Sequence, residues 1–436
     1  MRIAPFWSTA QNQTVARTSG DGRSTYRVLD LAGEAPLDLA AMVWVQADGS
    51  RTLVLRGVAD KGNSIRLAGQ NGTVDVTWFG RGEGSIDNID RVLFIGGAGS
   101  DRLEAATDFD RPILAYGREG NDVLIGGAAD DTLLGEAGDD ELLGQGGADL
   151  LHGGDGDDVL RGGIGNDILR GYAGNDDLRG DAGADWLDGG WGDDQLDGGA
   201  GQDKLYGQAG VDWLVGGPDG DMLDGGTESD ILLGGEGDDT LLGGEGDGDD
   251  QLYGGAGDDL LEGGAGADVL LGHAGADTLR GGQGNDRLDG GEGDDFLYGG
   301  EGDDVLRGGD GDDTLFGNNG NDLLNGGAGR DCMYGDDDQG RESGRDRFEI
   351  DFASNQGDVI DELHGGLDRD YVVIVGMDRR DAEKGTLLDE FNDEIRLSQA
   401  KGTETFTASW REKGSVDAFR QVRFTIPADV DAVVIE

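Results

Sequence analysis

From Gly117 to Tyr334 the chain repeats G-G-x-G-x-D-x-L-x about every nine residues, in 24 tandem copies. One copy, Gly243–Tyr253, is longer, with eleven residues. Gly opens every copy, Asp fills the sixth place in all 24, and Leu fills the eighth in 23, with Met333 in the last. A unit this short has one inward apolar residue and cannot bury it alone. It is stable only when copies stack on one another.

The chemistry of each place narrows the stack further. Glycines at places 1, 2 and 4 permit turns with positive φ and close backbone approach. Such turns aim backbone carbonyls inward, and the Asp at place 6 adds a carboxylate. Hard oxygen donors of this kind suit calcium rather than zinc or copper. The last three places predict a short strand, with Leu on one face and its two neighbours on the other. Two copies make one 18-residue turn, so copies two apart are expected to stack roughly 4.8 Å apart. Twelve turns predict a rod on the order of 55–60 Å long. Copies two apart would share an ion, so 24 copies offer at most 22 sites, two fewer than the copies.

Charge makes the metal necessary. The chain carries 92 acidic and 34 basic residues, a formal net charge of −58. The repeat carboxylates line up along one axis, and two inward leucines per turn do not offset the ordering of a whole turn. Without calcium the repeats are expected to be a self-repelling, disordered chain. Folding and metal binding should be one event. The same charge excludes nucleic acid as a partner.

These repeats resemble those of the RTX, or hemolysin-type, calcium-binding proteins. The resemblance implies an all-β fold: a long right-handed parallel β-roll of about 12 calcium-stacked turns, with β-rich N- and C-terminal capping regions. It also implies a ligand rule. Carbonyls of places 2 and 4 and the Asp of one loop meet carbonyls of places 1 and 3 and the Asp two loops on. One site would use Gly154, Gly156 and Asp158 with Gly171, Ala173 and Asp176. Another would use Gly255, Gly257 and Asp259 with Gly272, Ala274 and Asp277. The same rule assigns Asp122, Asp140, Asp149, Asp167, Asp185, Asp194, Asp203, Asp212 and Asp239 as ligands. It continues through Asp268, Asp286, Asp295, Asp304, Asp313, Asp322 and Asp331. Three loops carry Ala129, Asp219 and Glu228 at place 4, which predicts weaker or empty sites, and the long Gly243 loop is expected to disturb another.

Composition divides the chain into residues 1–95, 96–349 and 350–436. The first part has strand-like runs such as YRVLDL, AMVWVQ and RTLVLRGV, with a hairpin signal at Asp48–Gly49. It reads as a β cap on the open end of the roll, or as a small carbohydrate- or surface-binding β-module. The roll opens with an isolated early repeat, Gly96 to Asp101, then a metal-free stretch at 105–116. After the repeats, Gly344 to Phe348 reads as a degenerate copy, and Gly357–Asp361 with Gly366–Asp368 resembles the cap that closes RTX rolls. Alternating runs in 371–436 predict further strands. The family plan implies type I export through a signal near the C-terminus, where Asp429 to Ile435 is acidic and then apolar.

Cys332 is the single cysteine, so no intramolecular disulfide forms. Residues 1–25 lack the apolar run of a secretory signal, and no segment is long enough to span a membrane. The expected location is extracellular. His152, His273 and His364 show no H-E-x-x-H spacing, and no G-x-S-x-G elbow occurs. His152 and His273 are expected to be solvated, as is the acidic loop Asp336–Asp338. The chain is therefore not expected to be an enzyme. Outward places 7 and 9 carry Trp186, Trp213, Phe296, Tyr206, Tyr253, Tyr298 and Phe316, either as a binding face or through β-propensity. Arg161 and Arg179 are expected on one face and Arg170 on the other, paired with neighbouring Asp. The expectation is a secreted protein that folds on calcium outside the cell. Its role would be structural or adhesive, toward cell-surface or extracellular polysaccharide or protein. The alternative is a hemolysin-like toxin, or a secreted hydrolase of protease or lipase type, for which this roll is the secretion and folding module.

Overall fold

The computed structural model describes side chains from Val43 to Glu349, apart from residues 47, 58–62, 71–72, 78–84, 245 and 336–345. Outside that stretch it describes only strand backbone, within 16–42 and 350–435. Every regular element among the described residues is a β-strand. The chain forms two compact units, residues 1–218 and 219–436.

In the first unit each repeat strand pairs in parallel with the strand two copies on. In one sheet Ile168 lies between Leu150 and Trp186, and Trp186 pairs in turn with Lys204. In the other, Asp177 lies between Val159 and Gln195. The strands are twice as long as the motif predicts. Ile168–Ala173, for example, spans six residues and runs from places 7–9 of one copy into places 1–3 of the next. The ladder continues there because the place-4 amide donates to the place-3 carbonyl two loops on, as from Gly156 N to Ala173 O at 2.8 Å. Alternation then sends Leu169 and Gly171 inward.

The core is two facing rows of place-8 leucines, Leu124 to Leu214 from one sheet and Leu133 through Leu169 to Leu205 from the other, none more than 1% exposed. Each touches the equivalent residue one turn away, so a gap cannot be filled from the side. Leu169→Ala will destabilise the calcium-loaded protein by about 2–5 kcal/mol, the range for deleting a buried leucine. Denaturant unfolding at saturating calcium measures it.

Parallel stacking begins before the first repeat. Arg51–Gly57 pairs with Arg91–Ile95, which pairs with Ile113–Glu119. On the other side Ser64–Ala68 pairs with Arg102–Ala105, which pairs with Val123–Ile125. Leu39–Val45 and Val74–Trp78 then add antiparallel to this first coil. They occupy the edges that would otherwise offer unpaired backbone groups. Phe94 and Phe109 fill the inside with no exposure, the latter from the stretch that carries no repeat.

In the second unit the eleven-residue copy shifts the pairing to 20 residues, as at Ile231 with Gln251 and Leu241 with Leu261. The spacing of 18 returns at Gln251 with Val269, so the extra residues are confined to the loop. Stacking also runs past the repeats. Phe348 pairs with Leu324 and takes the inward place with no exposure, and Val372 follows it. Met333 pairs with Leu363 in the strand Val359–His364. The Gly344–Arg345 start of the degenerate copy, the Gly357–Asp358 and Gly366–Asp368 cap residues and the Asp336–Asp338 loop lie outside the described residues.

Candidate metal centre

The turn between strands places the sixth-place Asp inside the stack, where each is at most 4% exposed. The two carboxylate oxygens have different environments. Oδ1 accepts the backbone N–H of the Asp two copies earlier: Asp140 from Asp122 at 2.6 Å, Asp176 from Asp158 at 2.8 Å, Asp277 from Asp259 at 2.8 Å. Asp203, Asp212, Asp322 and Asp331 accept in the same way, from Asp185, Asp194, Asp304 and Asp313. Oδ2 is buried without a hydrogen-bond partner in Asp122, Asp140, Asp149, Asp158, Asp167, Asp176, Asp185 and Asp194. The same holds for Asp239, Asp259, Asp268, Asp277, Asp286, Asp295, Asp304 and Asp313. A buried acceptor of this kind is a large penalty unless something binds it.

Backbone oxygens converge on those unpartnered atoms. A Cβ at Gly171 would overlap Asp176 Oδ2 and lie 2.6 Å from the Gly189 carbonyl, place 1 of the loop two on. At Gly272 the same point meets Asp277 Oδ2 and the Gly290 carbonyl at 2.6 Å. At place 4, Gly174 and Gly275 sit directly over the carbonyls of Gly156 and Gly257. The carbonyls of Ala173 and Ala274 point back toward those loops, each accepting the place-4 amide. Gly154, Gly156 and Asp158 thus face Gly171, Ala173 and Asp176 across one step of the stack, and the Gly255 and Gly272 loops repeat the arrangement.

Burial and like charge act together on these carboxyls. Burial first, then neighbouring Asp charges, push Asp149, Asp158, Asp194 and Asp313 up to about 8. The same causes raise Asp122, Asp185, Asp259, Asp268, Asp295 and Asp304 to about 7. Asp140, Asp167, Asp176, Asp239, Asp286 and Asp331 rise to about 6, chiefly through burial. A divalent cation among all-oxygen donors reverses both causes at once. Each shared site has carboxylates from two loops and otherwise carbonyls. Consistent with that, no group of three or more His, Cys, Asp or Glu gathers among the described residues.

The departures from the repeat behave differently from one another. Asp131, in the Ala129 loop, has both oxygens satisfied, by Ile113 N and Gly127 N at 2.7 Å each. Asp101, in the early repeat, is held by Gly97 N at 2.5 Å and by Asn63 Nδ2 at 2.6 Å. Neither needs an ion. Asp219 and Glu228 keep the turn of the glycine they replace, at φ 75° and 66°, with the strain that this conformation carries.

A search of sequence families supplies the deciding observation. The RTX calcium-binding nonapeptide repeat matches in overlapping blocks of four copies from residue 116 to 341, more than half of the chain. The chain belongs to this family. It is a calcium-binding β-roll protein. No curated protein sequence matches it.

One regular feature of the RTX protein's loops is absent from the motif itself. Asp or Asn at place 5 accepts the backbone N–H of place 5 two copies on, in a row of Asp139, Asp157, Asn175 and Asp193, ending on Val211 N. The frequency of Asp and Asn at that place is the signal for it. The arginines fall as expected: Arg161 pairs in register with Arg179, Arg170 lies on the other sheet, and Arg179 bonds Asp197 at 2.9 Å. His273 is exposed. His152 is not solvated as expected. It is half-buried, Tyr172 packs edge-on against it at 5.3 Å, and burial with the Arg170 charge lowers its imidazole from the usual range.

Proposed function

We propose that this RTX protein is secreted, folds on calcium outside the cell, and acts there as a structural or adhesive surface element without chemistry of its own. The row of buried Asp oxygens without partners carries the reading, because it makes the folded chain depend on an ion. Sites built mostly from neutral carbonyls are weak, so they fill only where calcium is abundant. The family's usual type I export supplies the route to such a place. No helix among the described residues is long and apolar enough to cross a membrane. The antiparallel strands on the first coil serve as an end cap, protecting its edges from pairing with other chains. The proposal of no catalysis rests on the lack of a nucleophile or metalloprotease motif in the sequence.

Far-UV circular dichroism during calcium titration of the chelator-treated protein tests the reading. A cooperative rise of β-structure is expected at roughly 0.1–1 mM calcium, with no response to magnesium. A chain already β-rich in excess chelator at pH 8, where the place-6 carboxyls are ionised, would overturn it. Lysis of erythrocytes or cleavage of substrate by the calcium-loaded protein would overturn the non-catalytic part.

A further inference from the structure

On one flank of the first unit the place-2 residues of successive turns are Glu136, Gly154, Tyr172, Gly190 and Gln208, each in register with the next. Side chain and bare glycine alternate. Glu136, Tyr172 and Gln208 stand at φ 81°, 81° and 79°, a region that costs a non-glycine residue about 1–3 kcal/mol. A bulky ring adopts it least readily, and the repeat normally places Gly there. Tyr172 thus forms a ridge between two hollows floored by Gly154 and Gly190. The floors are two strand spacings apart, roughly 10 Å.

The larger hollow, about 360 Å³, is bounded by Arg170, Asp188, Trp191 and Gln208, a volume within the roughly 300–1,000 Å³ of small-molecule sites. The smaller, about 270 Å³, lies beside Glu136, His152 and Asp155. Several other outward rings stack on one another: Trp186 on Tyr206 at 5.1 Å, Tyr298 on Phe316 at 5.0 Å, Phe316 on Tyr334 at 4.8 Å, while Trp213 and Phe296 stand half-exposed on strands away from both hollows. Cross-strand packing accounts for the stacked pairs. Trp191 instead presents its indole to solvent at 72% exposure, with Tyr172 at 45% beside it.

Charge selects the occupant. Arg170 and Asp188 are register neighbours of opposite sign. Burial raises the Asp188 carboxyl and the Arg170 guanidinium holds it back. The groove has this one cation against the carboxylates of Asp155 and Asp188 in the larger hollow and Glu136 beside the smaller, an excess of negative charge that repels an acidic occupant, with donors and acceptors set between flat apolar faces. Pyranose rings match this, with C–H faces for the aromatic rings and hydroxyls for the polar rim. The other sheet has a similar alternation at Gln145, Gly163, Asp181 and Gly199. It lacks the rings, and Gln145 donates its amide to the Gly126 carbonyl at 2.7 Å.

We propose that this groove binds a neutral linear oligosaccharide lying along the stack, with Trp191 and Tyr172 packed on its rings. The proposal takes its setting from the surface-contact role above, but the groove is separate from the calcium rows. The test is isothermal titration of the full-length, calcium-saturated chain with cellohexaose, maltohexaose, laminarihexaose and mannohexaose, with oligoalginate as the acidic control. At least one neutral hexaose will bind, and Trp191→Ala will weaken it at least tenfold. Tyr172→Gly restores the residue of the repeat, so it will weaken binding while raising the thermal midpoint. No binding to any of the four by β-rich protein, undiminished binding by both variants, or tighter binding of oligoalginate would each overturn the groove. Hexaose binding by a chain that folds without calcium would sink the calcium reading and keep the groove.

Discussion

Stripped of calcium, the chain will hold more β-structure at pH 5 than at pH 8, and raising the pH between them will unfold it. The place-6 carboxyls are responsible. In the folded, metal-free stack they rise from the ordinary 3.8 to about 7 in Asp185 and about 8 in Asp158. The folded state therefore binds more protons than the unfolded chain above pH 4. A raised folded value gives stability that is complete below the unfolded value and lost as pH rises through the folded one. The window runs from about pH 4 to about pH 8. One carboxyl raised to about 7 weighs roughly 4 kcal/mol against the metal-free fold once ionised. A handful of them exceeds the roughly 5–15 kcal/mol that holds a domain together. Calcium inverts the dependence, because it needs the ionised form. Its apparent affinity will increase with pH across the same window, and binding at pH 6.5 will release protons into the buffer. Circular dichroism of desalted, chelator-treated protein at the two pH values reads the first effect. Titration calorimetry in buffers of different ionisation enthalpy reads the second. Equal disorder at pH 5 and pH 8 would show that the carboxyls do not govern the metal-free state.

The parts of this molecule legible in its sequence are those in which one residue type has one job. Leu at place 8 meets its copy 18 residues on, and Asp at place 6 lies inside the turn, because each is repeated until no other arrangement satisfies all of them. Places with several permitted residues were harder to read. Glycines at places 1 and 2 read as turn, yet they continue the strand, since the amides that bond their neighbours belong to another loop. The rings at Tyr172 and Trp191 sit at places 2 and 3, not at places 7 and 9, whose outward direction the motif makes plain. Before the repeats, Asp48–Gly49 does read as the hairpin turn that joins Leu39–Val45 to Arg51–Gly57. The parallel pairing of Thr52 with Arg91 is 39 residues distant and has no motif, so local alternation could not reveal it.

Gly171→Ala, the addition of one methyl group, will disable a calcium step that no distant surface change would touch. Its Cβ would overlap Asp176 Oδ2 and lie 2.6 Å from the Gly189 carbonyl. Neither can retreat. Asp176 is tied through Oδ1 to Asp158 N at 2.8 Å, and Gly189 belongs to the strand Trp186–Trp191, paired on the far side with Lys204–Ala209. Overpacking of this kind costs about 1–3 kcal/mol, and here it also displaces two of the oxygens that would face the ion. The variant will bind fewer calcium ions than the parent, and its folding midpoint will move to higher calcium. Gly146→Ala is the control. Its Cβ would find nothing nearer than the Ile164 carbonyl at 3.8 Å, and other copies already carry Ala at that place, as at Ala137 and Ala173. It will leave stoichiometry and midpoint unchanged. Equal behaviour of the two variants would mean that place 1 is glycine for its backbone alone. A selective loss at Gly171 would place the ion against the oxygens that the missing side chain leaves room for, which is why all 24 copies open on the same residue.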